Sequence, residues 1–395
     1  DIYMIKTFFK DTVLALIVKC VIMLLGLIVP IIIIRTYEPY VVVNYVVSTS
    51  LASLIIPFLR YGSTLTLYSP NCNFKTLNFI KRSILTRAMF VTFAVVIYSF
   101  FSDKKIFIIL GLSLGICQSI SSSFSIYLNQ KKSFIFSALI DANAVNIIFG
   151  FFFIVAQYWG LFSLFSSISV LVIVLTLIFI DSIFASRRAL DESLYSELIG
   201  SKAERNMFLM NLASSLGLAG ALWYSTIMLS PNELVSLKLW ERLIAIAIVC
   251  PSVLSPLIWS WTNGKVFNKN YKVLLTLFIS MSICVLLAIS TYYVMSKVHF
   301  VSLYFLGSVL LLIPIIQAGG VFGFLLNLSG YSAWILFSTV LGVISQWLVL
   351  ICSNSIEGFV FAAFLNICFQ YAIPVLIYTR NMNNGSSIMK QLFNK

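Results

Sequence analysis

Between residues 12 and 379 the chain is a succession of apolar runs, each 19 to 28 residues long, separated by connectors mostly of a few residues. A helix needs about 20 apolar residues to cross a hydrocarbon core of about 30 Å. Runs of this length therefore predict membrane-spanning helices and leave no room for a soluble domain. The composition agrees, because 60% hydrophobic and only 10% charged residues do not describe a water-soluble globule. Whatever the chain does is done by side chains inside a bilayer or by the shape of the bundle, which excludes most enzyme classes.

The runs fall near 12–34, 41–59, 83–101, 106–128, 133–155, 161–183, 206–229, 234–261, 273–296, 301–328, 333–352 and 358–379. They lack the period-two alternation of a barrel strand, which would need only about 10 residues. The fold class expected is all-α: a polytopic integral membrane protein of about twelve helices in two six-helix bundles. The first run has no small-residue cleavage site after it and reads as a retained span.

Placing the N-terminus in the cytoplasm puts 18 of the 26 Lys and Arg residues on the cytoplasmic side. Arg35, Lys104, Lys105 and Lys297 then face out, and Lys19, Arg87, Lys238 and Arg242 lie within spans. So uneven a split predicts an N-in, C-in protein. The net charge of +13 follows mainly from this topology and implies no nucleic acid, although it favours contact with anionic membrane lipids.

Four segments are expected: an N-terminal half over 1–185, a cytoplasmic linker over 186–205, a C-terminal half over 206–380, and a cytoplasmic tail over 381–395. The linker spaces Leu190, Leu194 and Leu198 four apart among charged residues, as in an amphipathic surface helix. A faint repeat links the halves. Glu38-Pro39 and Ser230-Pro231 lie 192 residues apart, and each precedes a span with internal proline (Pro57; Pro251 and Pro256). Two related bundles around a cleft are a common transporter plan. Gly111 with Gly115, and Gly319 with Gly320 and Gly323, predict close helix contacts.

A charge inside a span costs about 2.5–3.5 kcal/mol on insertion scales, so each one calls for a cavity or a partner. Lys238, Glu241 and Arg242 are spaced three and four apart, hence on one helix face, and together carry +1. They form either an ion-paired rung near the outer interface or an anion-binding wall of a substrate cavity. Lys19 is a second candidate anion contact, or a side chain snorkelling to the cytoplasm. Arg87 reads as a snorkelling interface anchor. Asp141, with Ser137, Asn143 and Asn146 nearby, is either a hydrogen-bonded structural acid or a proton or Na⁺ carrier. Gln118, Gln317, Asn327, Gln346, Asn366 and Gln370 read individually as helix staples. The seven cysteines are scattered singly, and the sole histidine, His299, is far from any ligand set, so no disulfide framework, metal site or cofactor is expected. No phosphate-binding GxxxxGK[ST] loop occurs.

The stretch Leu24-Leu-Gly-Leu-Ile-Val-Pro30, followed by Ile34-Arg-Thr-Tyr-Glu-Pro39, Tyr45, Ser50-Leu51 and Phe58-Leu-Arg-Tyr-Gly62, resembles the N-terminal signature of bacterial polysaccharide flippases. Leu239-Trp-Glu-Arg-Leu243 and Leu254-Ser-Pro-Leu-Ile258 extend the likeness into the second half. In length and layout the chain is similar to Wzx-type O-antigen flippases of the multidrug/oligosaccharidyl-lipid/polysaccharide exporter superfamily. Arg60-Tyr-Gly62 departs from it, since many relatives carry an acidic residue before the glycine.

The resemblance implies a transporter, not an enzyme, that moves an undecaprenyl-pyrophosphate-linked oligosaccharide across the bacterial inner membrane by alternating access. It implies a setting shared with an O-antigen polymerase and a chain-length regulator. On this reading Lys238, Arg242, Lys19 and Arg60 contact the substrate, and Asp141 or Glu241 serves ion coupling. The alternatives are an O-antigen polymerase, which would carry a large outer loop, and a drug or ion antiporter of the same superfamily with a more acidic cavity.

Overall fold

A computed structural model describes residues 14, 17–18, 21–22, 25–26, 28–61, 67, 74–131, 133–168, 202–262, 271–297, 302–328 and 331–383. Lys19, most of the sixth expected span, most of the linker and the end of the tail lie outside these residues. Every regular element described is helical. A helical segment at 28–36 leads into α1 (Pro39–Arg60), α2 (Phe74–Phe100), α3 (Lys105–Gln130), the short α4 (Phe134–Leu139) and α5 (Ala142–Trp159). The second half follows with α6 (Lys202–Ser215), a π-helical turn (Leu216–Gly220), α7 (Ala221–Met228), α8 (Pro231–Thr262), α9 (Tyr271–Ser296), α10 (Leu303–Leu328), α11 (Ser332–Cys352) and α12 (Ile356–Asn383).

Among the described residues eight helical stretches are long and apolar enough to cross a membrane, with α6, the π-helical turn and α7 joined into one of them. The chain is a multi-pass membrane protein. α8 adds 32 residues, about 48 Å of helix, and carries four charged side chains, Glu233, Lys238, Glu241 and Arg242.

The two Pro-led helices begin where the repeat in the sequence places them. Pro39 is the first residue of α1 and Pro231 the first of α8. Proline suits this position because its missing N–H is one that helix geometry leaves unused, and its fixed φ already matches the helix. At α8 the start is reinforced by a capping box: the Ser230 N–H donates to Glu233 Oε2 at 2.9 Å, and the Glu233 N–H donates back to Ser230 Oγ at 3.4 Å.

One expected span is not continuous. The run 133–155 breaks at Ile140 and Asp141 into α4 and α5, so Asp141 sits at a helix start and not in a helix interior. Asp is among the residues favoured there, and its carbonyl accepts from the Ala144 N–H at 2.9 Å.

Two apolar cores organise the packing. One lies between α1, α2 and α3 and includes Leu51, Ile55, Leu59, Leu77, Ile84 and Leu112. The other lies among α8 to α12 and reaches across to Tyr45 of α1 and Phe153 of α5. α1 is the helix that joins them, because it packs on α2 and α3 and also on α6, α7 and α8. Small residues permit the closest approaches. A Cβ on Gly111 would lie 2.6 Å from the Ser48 carbonyl oxygen, and one on Gly115 2.5 Å from the Ile55 side chain, which fixes the α1–α3 contact as the sequence predicted.

Candidate functional site

The three charges of α8 lie where α8 meets α1. Lys238 and Arg242 follow Pro231 by seven and eleven residues, about 10 and 16 Å along the helix. Lys238 is 2% exposed, and its Nζ stands 2.5 Å from Glu241 Oε2. Glu241 keeps 30% of its side chain accessible. The spacing of three puts the two on one face and lets the short Glu reach the folded-back Lys stem.

The fourth member is Tyr45, which sequence reasoning placed only in the N-terminal signature and gave no role. It is 2% exposed. Its hydroxyl is close enough to the Arg242 guanidinium to interact with it, and its ring faces Lys238 Nζ at 5.9 Å. The far side of the ring is held by Phe153, edge-on at 5.3 Å, and by Phe149, stacked at 6.3 Å. An aromatic at apolar spacing in α1 reads as core, and half of Tyr45 is core. Only the packing of α1 on α8 reveals that its polar end meets two cations.

Two cations and one carboxylate leave the cluster at +1. Arg242 Nε has no hydrogen-bond partner among the described residues. A buried cationic donor that is not used internally is a ready contact for an anion. Trp240, on the opposite side of α8, donates its Nε1 hydrogen to Ser308 Oγ of α10 at 2.9 Å, which fixes the rotation of α8 and so the direction of the charged face.

Among the described residues, Arg60 and Asp141 do not join this group. Arg60 ends α1, fifteen residues or about 22 Å from Tyr45, and donates Nη1 to Ser122 Oγ of α3 at 2.9 Å. Asp141 lies by the same part of α3, since the carbonyl of its neighbour Ile140 accepts from Ser121 Oγ. Asn143 donates to Asp141 Oδ2 at 3.4 Å. The two alternatives for ion coupling, Asp141 and Glu241, thus lie in different regions of the fold. Arg87, expected to be an interface anchor, lies against the end of α1, donating to the Leu59 carbonyl at 3.3 Å and lying 4.9 Å over the Tyr61 ring.

The polar amides are staples. Asn366 Nδ2 donates to Gln346 Oε1 at 2.7 Å, Gln118 Nε2 to Asn146 Oδ1 at 2.6 Å, and Gln370 Nε2 to Ser214 Oγ at 3.2 Å. Each ties two helices together.

No family model matches the chain, and no curated protein matches it in sequence. Its structure is similar to that of a eukaryotic MATE transporter, AtDTX14, with a TM-score of 0.51 and 13% identity over 96% of this chain and 98% of that one. The chain has the fold of a MATE transporter. A MATE protein solved in complex with MaL6 is also similar, with a TM-score of 0.43 and 13% identity over 95% of each chain. The likeness to AtDTX14 extends over nearly the whole length of both chains.

Proposed function

We propose that this chain is a transporter that flips a lipid-linked, phosphate-bearing oligosaccharide between membrane leaflets, of the class of undecaprenyl-pyrophosphate-linked O-antigen units in a bacterial inner membrane. The observation that carries the proposal is the +1 cluster of buried Lys238 with half-buried Glu241 and Arg242, beside Tyr45 at the contact of α1 with α8. An anionic group gains most from cations that are already desolvated and oriented. The MATE fold supplies a bundle in which such a junction can open and close, and the resemblance to polysaccharide flippases supplies the substrate class.

A drug or ion antiporter of the same fold is the second reading, suggested by the MATE transporters of similar structure. The excess of positive charge at the α1–α8 junction favours an anionic cargo over a cationic one. A polymerase would carry a large outer loop, whereas the connectors on the side expected to face out are short, as in the six residues between α9 and α10.

Replacing Lys238 and Arg242 together by Ala is expected to abolish surface glycan while the protein remains in the membrane. Deletion should leave single lipid-linked repeat units in the cytoplasmic leaflet. Full retention of surface glycan in the double variant would overturn the assignment.

A further inference from the structure

α1 meets the second half of the chain near both of its ends. Toward its start Tyr45 lies at α8, with the centre of its ring 5.9 Å from Lys238 Nζ. Sixteen residues later, about 24 Å along the helix, Tyr61 and its neighbour Phe58 close on one ring of α6. The Tyr61 ring lies 4.6 Å from that of Phe208, and the Phe58 ring meets it edge-on at 6.0 Å. Ser53 is eight residues from both Tyr45 and Tyr61, midway between them in height and in helical direction, and so on the face of α1 turned to the second half. It is exposed.

Each side of this ring contact is tied to its own half. Arg87 of α2 donates to the Leu59 carbonyl and covers the Tyr61 ring, and Arg60 donates to Ser122 of α3. On α6, Asn206 Nδ2 donates to Ser332 Oγ of α11 at 3.2 Å, and Met210 Sδ lies 3.4 Å from Asn327 Nδ2 of α10. Movement of one half against the other at this level therefore parts Phe208 from Tyr61 and Phe58. Paired rings attract through their faces and edges, so this contact separates and re-forms without leaving a polar group of the rings' own unmet.

Tyr61 is also strained. It ends α1 in the left-handed region, at φ 40° and ψ 56°, and among the described residues no other residue except a glycine has a positive φ. A bulky side chain keeps such a conformation only where its surroundings hold it. Here its N–H donates to the Pro57 carbonyl at 2.9 Å, Arg87 covers the ring, and Phe208 packs on it. The first two supports belong to the first half and the third to the second, so parting the halves removes a support and lets Tyr61 relax. Pro57 gives no N–H to the Ser53 carbonyl, which leaves α1 able to bend in the turn before Tyr61. We infer that Phe58, Tyr61 and Phe208 form a gate: closed as they stand, they bar this end of the path to the cluster at Lys238 and Arg242, and they open as Tyr61 leaves the left-handed conformation. The inference rests on the transport reading above and on the cytoplasmic placement of this end expected from the charge bias. Strain held in the closed state lowers the cost of opening, as a two-state element requires.

The test uses the full-length protein in inverted membrane vesicles. It reads the rate at which a membrane-impermeant maleimide modifies the thiol of Ser53→Cys, followed by mass spectrometry at that residue. Adding Phe208→Ala is expected to raise this rate about fivefold, the shift that goes with losing an aromatic pair. Loss of the ring also removes packing from α6, so Phe208→Leu, which keeps most of the apolar volume, is measured beside it. It should raise the rate about twofold and unfold at the same temperature as the parent. Tyr61→Ala should act like Phe208→Ala, and the two together should add little to either, because both work through one contact. An unchanged rate in Phe208→Ala, an effect of the double variant equal to the product of the single ones, or an equal rise from the opposite face in right-side-out vesicles would overturn the gate. The labelling involves no cargo. Normal surface glycan in the Lys238→Ala, Arg242→Ala protein would therefore remove the flippase assignment and leave the gate, whereas an unchanged labelling rate would remove the gate and leave that assignment.

Discussion

Gln317 of α10 donates its Nε2 hydrogen to the carbonyl of Ala247 at 2.7 Å. That carbonyl lies four residues before Pro251 in α8, so the helix offers it no N–H. The freed acceptor is in an apolar interior, where an unmet hydrogen bond costs about 1–3 kcal/mol. Gln317 therefore repairs from a neighbouring helix the defect that proline makes. Its own carbonyl oxygen is satisfied by Ser280 Oγ at 2.6 Å, so no polar atom of the amide is left over. Gln317→Leu should lower stability by about 1–3 kcal/mol, read as an earlier thermal unfolding midpoint in detergent. The same substitution in a Pro251→Ala background should cost much less, because an alanine N–H then serves the Ala247 carbonyl. Equal losses in the two backgrounds would break the link between Pro251 and Gln317.

The ion pair at the α1–α8 junction makes a different prediction. Lys238 is almost wholly enclosed and depends on Glu241 for its counter-charge. Glu241→Gln removes that charge and leaves buried Lys238 and half-buried Arg242 as two cations four residues apart. The expected cost is about 2–4 kcal/mol, toward the lower part of the range for breaking a buried pair, since Glu241 keeps part of its surface accessible. Adding Lys238→Met to Glu241→Gln should recover more than half of the loss, as replacing both members by groups of similar size usually does. If Glu241→Gln alone unfolds at the wild-type temperature, the carboxylate is not what holds Lys238 in place.

Most of the fold was legible because membrane helices announce themselves by length and apolarity, and the Pro-led starts of α1 and α8 by local chemistry. Asp141 was misplaced for the same reason: a run such as 133–155 stays apolar through a break, and hydropathy does not register the two residues that interrupt it. The site was half legible. Spacing alone brought Lys238, Glu241 and Arg242 together, because i, i+3 and i, i+4 neighbours share a face whatever the tertiary structure. Tyr45 and the separation of Arg60 from Lys238 depend on which helices touch and at which ends, and no local pattern encodes that. The place of Arg87 one turn into a span marks it as an interface anchor, but its bond to the Leu59 carbonyl depends on a different helix and has no local signal.

Three glycines in one stretch of α10 should respond very differently to the same small change. A Cβ added at Gly319 would run into the backbone carbonyl of Tyr371 in α12. At Gly320 it would lie 2.6 Å from the ring of Pro251 in α8, and at Gly323 3.6 Å from Pro374, an ordinary contact. Backbone cannot yield as a flexible side chain does, so Gly319→Ala must push α12 away from α10. The expected loss is at the upper end of the roughly 1–3 kcal/mol typical of overpacking, with poor recovery of folded protein. Gly320→Ala should cost less, because it meets the Pro251 ring and not backbone, where α8 already lacks one intrahelical hydrogen bond. Gly323→Ala should be neutral or slightly stabilising, since alanine is the better helix former by about 1 kcal/mol. The order of unfolding midpoints checks this: Gly319→Ala lowest, Gly320→Ala between, and Gly323→Ala at or above wild type. A Gly319→Ala protein as stable as wild type would mean that α10 and α12 do not approach so closely in the membrane.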